Sequence, residues 1–248
     1  MKKAVVVFSM VAVSLFFASV VLAQSGETYK WTGFYIGLNA GYGFGGNNGY
    51  SFGSVDPVWQ TAVQSNWVDE PSFRPKGFVG GAQAGFDYQI CDKLLVGVET
   101  DFQYSDIKDK NRGKSSTHFD ELSQIKQDME WFGTLRARFG VLPTQRLLIY
   151  GTGGLAYGKL KSSASVDFFS GDQIFAGSST TTRSGYTGGG GIEFAVAKNI
   201  TVKGEYLYYD LGRNEVDIVT ARFTSPSYAT GTFTTRGSIV RMGVNYRF

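Results

Sequence analysis

The eleven carboxy-terminal residues, Ser238 to Phe248, alternate with period two to the last position. One face carries Val240, Met242, Val244, Tyr246 and Phe248; the other carries Arg241, Gly243, Asn245 and Arg247. Period two specifies a strand, because successive side chains on a strand point to opposite faces. A soluble sandwich turns such an apolar face toward its core. A membrane barrel inverts the arrangement, with the apolar face toward lipid and the polar face toward a lumen. The remainder of the chain discriminates between the two.

The amino terminus reads as an export signal. Met1-Lys2-Lys3 is followed by an apolar run from Ala4 to Leu22, broken only by serines, and Val21-Leu22-Ala23 precedes Gln24. A basic start, an apolar stretch and small residues before the cleavage point specify a secretory signal over residues 1–23. The run is also long enough for a single membrane anchor. That reading is disfavoured by the cleavage pattern and by the lack of a basic cluster after it. Residues 24–32 then form a periplasmic tether, and 33–248 the folded domain. Removing Lys2 and Lys3 takes the formal charge from +3 to +1, a balance that suggests no nucleic-acid partner. No later apolar run approaches 18 residues, which excludes a helical membrane protein. Cys91 is the only cysteine, so no internal disulfide is expected.

From Gly33 onward the chain falls into eight alternating runs: 33–44, 77–88, 94–105, 129–141, 147–159, 184–197, 200–211 and 236–248. The first two share G-F-x-x-G-x-[N/Q]-A-G-aromatic, at Gly33–Tyr42 and Gly77–Phe86. Three connections are short, at 89–93, 142–146 and 198–199. Four are long and read as loops, at 45–76, 106–128, 160–183 and 212–235. Long loops at one end and tight turns at the other is the arrangement of outer-membrane barrels, whereas compact soluble domains rarely carry four such loops. The expected fold is therefore all-β, an eight-stranded antiparallel transmembrane up-and-down β-barrel. The loop aromatics Trp59, Trp67, Phe73, Phe223, Tyr228 and Phe233 are expected to pack over the barrel mouth, with surface contacts as the alternative.

The polar faces of these strands collect Asp87, Glu99, Asp101, Glu193 and Glu205 against Arg136, Arg138, Lys203, Arg241 and Arg247. Five acids matched by five bases suits an enclosed interior, where an unpaired charge is costly. An eight-stranded barrel is just wide enough inside for side chains to fill it. The charges are thus expected to plug the lumen, with Glu99 and Asp101 facing Arg136 and Arg138 on the neighbouring strand.

Catalytic motifs are weak. Gly151-Thr152-Gly153-Gly154-Leu155-Ala156 follows a strand and mimics G-x-G-x-x-A, yet no helical period follows the glycines. Dinucleotide binding requires that helix. Cys91 lies at the short-turn end and the only histidine, His118, in a long loop at the other, so they do not form a nucleophile–base pair. No enzyme activity, metal or cofactor is expected.

The segment Trp31-Thr32-Gly33-Phe34-Tyr35-Ile36-Gly37, the glycine-aromatic strands and the terminal Val244-Asn245-Tyr246-Arg247-Phe248 resemble the porin-like outer-membrane surface proteins of alphaproteobacteria. These are small barrels related to the membrane domain of outer-membrane protein A. The resemblance implies a structural barrel of the cell outer membrane, in contact with lipid and lipopolysaccharide, whose exposed loops meet host surface molecules in some members. In some members it implies hemin binding, for which His118 is this chain's ligand candidate; a narrow porin-like channel is the other alternative. Phe248 resembles the aromatic carboxy-terminal signal read by the barrel-assembly machinery. Deleting Phe248 is expected to lower the outer-membrane level several-fold in fractionated cells; an unchanged level would remove that role.

Overall fold

The computed structural model describes residues 29–46, 50–54, 75–114, 122–168, 172–220 and 228–248. They form nine strands and no helix: β1 (Gly33–Gly45), β2 (Tyr50–Ser54), β3 (Lys76–Cys91), β4 (Leu94–Lys114), β5 (Leu122–Thr144), β6 (Leu147–Phe168), β7 (Asp172–Ala197), β8 (Ile200–Thr220) and β9 (Tyr228–Arg247). All pairings are antiparallel. Eight strands follow one another from β1 and β3 round to β9, and β9 pairs back onto β1 to close the barrel. The ninth, β2, lies along the upper part of β9. The eight-stranded antiparallel barrel expected from the alternation is the fold observed.

The register sets the barrel's shape. Stepping across the ladders from Gly33 leads through Asp87, Gly97, Arg138, Thr152, Gly189, Leu207 and Ile239 to Gly43. The path returns to β1 ten residues beyond its start (43 − 33), which is the shear. With ordinary strand spacings, eight strands at this shear tilt by about 40°. An even shear also keeps the two faces distinct around the circuit, so the period-two pattern of each strand holds one sense throughout.

That pattern is inverted relative to a soluble protein. Phe34, Leu38, Phe78, Phe102, Leu135, Phe139 and Leu155 face outward and are exposed. Val240, Met242, Val244, Tyr246 and Phe248 of the terminal run face outward as well. Asn39, Gln83, Thr134, Thr201 and the charged residues face inward and are buried. Glycines on inner faces make room for large neighbours. A side chain at Gly85 would collide with the Tyr35 ring, and one at Gly97 with the Asp87 carboxylate.

The long connections differ from expectation. Most of 106–128, 160–183 and 212–235 continues the strands rather than looping. The β4–β5 ladder runs on to Lys114↔Leu122, β6–β7 to Phe168↔Asp172, and β8–β9 to Val219↔Tyr228. These stretches are rich in polar and charged residues and read as loops, while runs such as Thr180-Thr181-Thr182 keep good strand propensity. Two further departures concern the ends. Residues 24–28 of the expected tether lie outside the described residues, but Tyr29 and Trp31 fold into the short-turn mouth and are buried. Nearby, the Gln89 amide donates to Thr32 Oγ1 at 3.0 Å.

Among the described residues, the β7–β8 ladder is interrupted toward the long-strand end. It breaks off above Tyr186↔Asp210 and resumes at Ala176↔Val219. The break begins where β8 kinks: Gly212 has φ 76°, and its amide donates to Asp210 Oδ1 at 2.8 Å. Glycine tolerates this left-handed backbone without the Cβ penalty.

Candidate functional site in the barrel interior

Ten inward-facing charges lie in the central belt of the lumen. Asp87, Glu99, Asp101, Glu193, Glu205, Arg136, Arg138, Lys203, Arg241 and Arg247 each expose 4% or less of their surface. The structure brings all ten into one connected network. Arg136 on β5 pairs with Glu99 on adjacent β4, reaches Asp101 at 3.0 Å, and crosses to Glu205 on β8 at 2.9 Å. Arg138 donates to Glu193 on β7 at 2.7 Å and lies farther from Glu99 and Asp87, at 3.4 and 3.5 Å. The neighbouring-strand pairing thus describes Arg136, whereas Arg138's shortest carboxylate contact is with a residue two strands away.

The remaining cations span the lumen. Lys203 on β8 donates to both Glu99 oxygens at 2.7 and 2.8 Å. Arg241 on β9 reaches Asp101 at 2.8 Å and Glu205 at 2.6 Å. Arg247 reaches Asp87 at 2.5 Å and Glu193 at 3.2 Å. Neutral groups add to the shells. Tyr35 donates to Glu99 at 2.7 Å and accepts from Arg138 at 2.5 Å. Thr134 donates to Asp101, and Thr201 and Asn245 donate to Glu193. The Arg138 guanidinium also lies 4.1 Å from the Tyr150 ring centroid. Charge-assisted bonds of this kind are the strong ones, and the low dielectric makes their completeness matter.

The network is capped at both ends. Toward the long strands, Val79, Ile107, Met129, Phe132, Leu160, Leu207, Tyr209, Leu211 and Ile239 form a buried apolar cluster. Toward the short turns, Trp31, Leu95, Leu142, Leu148, Tyr150 and Ala195 form a second, with Tyr29 at its edge. Burial pushes the Tyr29 phenol up to about 12.

Sequence reasoning missed these caps, because it sent polar residues inward and apolar residues outward without exception. It also missed the inward hydroxyls of Tyr35 and Tyr150. The same period-two parity that located Lys203 would have found them. Phe132→Ala is expected to destabilise the barrel by about 3–5 kcal/mol, since Phe132 is fully buried against Tyr209. Urea unfolding in detergent measures this, and a shift no larger than that of an outward-facing Leu155→Ala control would count against a packed cap.

Several sequence candidates are not part of this site. His118 lies outside the described residues, as do Trp59, Trp67, Phe73 and Phe223. Cys91 is an exposed free thiol at the short-turn end of β3. Gly151–Ala156 belongs to the middle of β6, within a ladder rather than ahead of a helix. Among the described residues, no group of three or more His, Cys, Asp or Glu side chains is placed to share a metal ion.

Comparison with known proteins places this geometry. Residues 9–248 match the family model described as outer membrane protein beta-barrel domain. The chain is 41% identical over 226 residues to the 31 kDa outer-membrane immunogenic protein of Brucella melitensis biotype 1, covering 90% of this chain and 85% of that relative. It is 29% identical over 224 residues to the 25 kDa outer-membrane immunogenic protein of Brucella abortus biovar 1, covering 89% and 80%. Among solved structures, the outer membrane protein OprG from Pseudomonas aeruginosa aligns over 90% of this chain and 100% of its own, with 15% identity and a TM-score of 0.49. An apolar outer wall, a polar interior, the family match and the 41% identical relative agree: the chain belongs to the outer membrane protein β-barrel domain family and resides in the cell outer membrane.

Proposed function

We propose that the protein is a closed, surface-exposed scaffold of the outer membrane rather than a channel or an enzyme. Its lumen is filled by the charge network and sealed by the two apolar clusters. Its short turns face the periplasm, and its long strands present a surface outside the cell. One observation carries this reading: buried cations bridge opposite walls. Lys203 on β8 holds Glu99 on β4, and Arg136 on β5 holds Glu205 on β8. A water-filled path along the axis would have to part these bonds and strip the charges of their partners. The surface role is supported by the names of the relatives, which describe immunogenic outer-membrane proteins.

Planar-bilayer recording of the refolded protein tests the closed lumen. The expected result is no stable conductance above the bare bilayer. A long-lived open level would overturn the proposal in favour of the porin-like alternative. The orientation has its own test in protease treatment of intact cells. Cleavage is expected within the long-strand end, between residues 106 and 128 or 212 and 235. Cutting at the Pro143 turn instead would reverse it.

A further inference from the structure

The chain ahead of β1 is tied into the barrel at one point. Trp31 is fully buried, and its indole Nε1 donates to the Gln145 carbonyl in the β5–β6 turn at 2.9 Å. The Trp31 carbonyl accepts from Arg247 Nη1 at 2.7 Å, a contact between residues 216 positions apart. The Arg247 guanidinium lies 4.9 Å from the Trp31 ring centroid and 4.8 Å from that of Tyr35. Its other nitrogen holds Asp87 on β3 and Glu193 on β7. The Arg247 backbone is fixed too: its amide donates to the Asn199 carbonyl at 2.8 Å, and Asn199 Nδ2 donates to its carbonyl at 2.6 Å.

The partners of this one side chain come from before β1, from β3 and from β7. They meet only when β9 has paired with β1. That ladder is the seam of the barrel, and it ends at the short-turn mouth with Tyr35↔Arg247 and the Phe248 amide on the Phe34 carbonyl at 3.0 Å. Most other ladders join strands adjacent in sequence, whereas the seam joins the two ends of the domain and carries the largest loop-closure cost. No turn holds the strands together at this mouth, so the terminal rungs are the place where the wall would fray.

We infer that Trp31 and Arg247 form a closure clamp. The cation–π stack and the carbonyl contact lock the first and last strands together at the periplasmic mouth, and the indole bond to Gln145 anchors the clamp to the opposite wall. This makes the segment before β1 a working part of the barrel, with Trp31 as a positioning residue for the seam. A residue that only filled space in the lower apolar cluster would support all ladders alike; a clamp supports one.

Amide hydrogen exchange on the refolded protein in detergent separates the two. In Trp31→Ala, exchange of the β1 amides 34–40 and the β9 amides 242–248 is expected to accelerate about tenfold, with the β4–β5 amides 96–103 and 133–140 within about twofold of the parent. Trp31→Phe keeps a ring over Arg247 and loses the bond to Gln145, so it should give a smaller acceleration confined to the seam. Arg247→Lys keeps the charge toward Asp87 and Glu193 but loses the planar stack, and should reproduce the Trp31→Ala pattern. Equal acceleration of all ladders, or none at the seam, would overturn the clamp. Should Trp31→Ala fail to fold, the Trp31→Phe pattern decides by the same criterion.

Discussion

Replacing Arg136 with Met is expected to lower the stability of the barrel by about 3–5 kcal/mol, read as a fall in the urea midpoint of refolding into lipid vesicles. The effect comes from what is left behind. Arg136 bridges Glu99, Asp101 and Glu205, and its Nε donates to Thr134 at 2.9 Å. Methionine fills much of the same volume, so packing changes little. The three carboxylates, all buried, must then share Lys203, Arg138 and Arg241. Removing one partner of a buried set costs more than the set itself contributes, because the orphaned charge stays out of water. A second substitution sharpens the test. Asp101→Asn in the Arg136→Met background restores four acids against four bases and keeps Asp101's position beside Thr134 and Gln103. About 1 kcal/mol or more should be recovered. A double variant no more stable than Arg136→Met would mean that charge balance is not what holds the interior.

The neighbouring position gives the opposite experiment. Leu135 lies one residue before Arg136 on β5, faces outward, and is 52% exposed. Its ladder partners are Thr100 and Leu155, in the middle of the wall. Leu135→Arg is expected to cost about 2–4 kcal/mol in a bilayer, because the guanidinium would sit in hydrocarbon. The same change at Thr182, on an exposed stretch of β7 toward the long-strand end, should cost about 0–1 kcal/mol. Refolding into vesicles measures both. Equal costs at the two sites would mean that Leu135 does not face lipid, and the placement of the membrane band would fail. Together, two adjacent residues measure both faces of one strand: a cation is required at 136 and excluded at 135.

That contrast was legible in the amino-acid sequence, since face assignment is local. Period-two alternation needs only the residues of one strand, and the even shear lets every strand keep its sense around the barrel. The strand count, the inverted faces, the outward run from Val240 to Phe248 and the inward position of all ten charges follow from it. Two other features were hidden for local reasons. The strand extensions are rich in polar and charged residues, a composition that reads as loop. The inward apolar residues Leu95, Phe132, Leu148 and Ile239 obey the same parity as the charges but have the wrong polarity for a simple inside-polar rule.

Partner choice was decided by the tertiary structure alone. Asp101 meets Arg241 across 140 residues, and Lys203 meets Glu99 across 104. Which cation reaches which carboxylate depends on the stagger accumulated around eight ladders and on the lumen's diameter, neither of which any single strand encodes. The same holds for Trp31. In the linear chain it stands two residues ahead of the first strand. Only closure of β9 onto β1 brings Arg247 over its ring, because that contact exists between the two ends of a sheet that has become a cylinder.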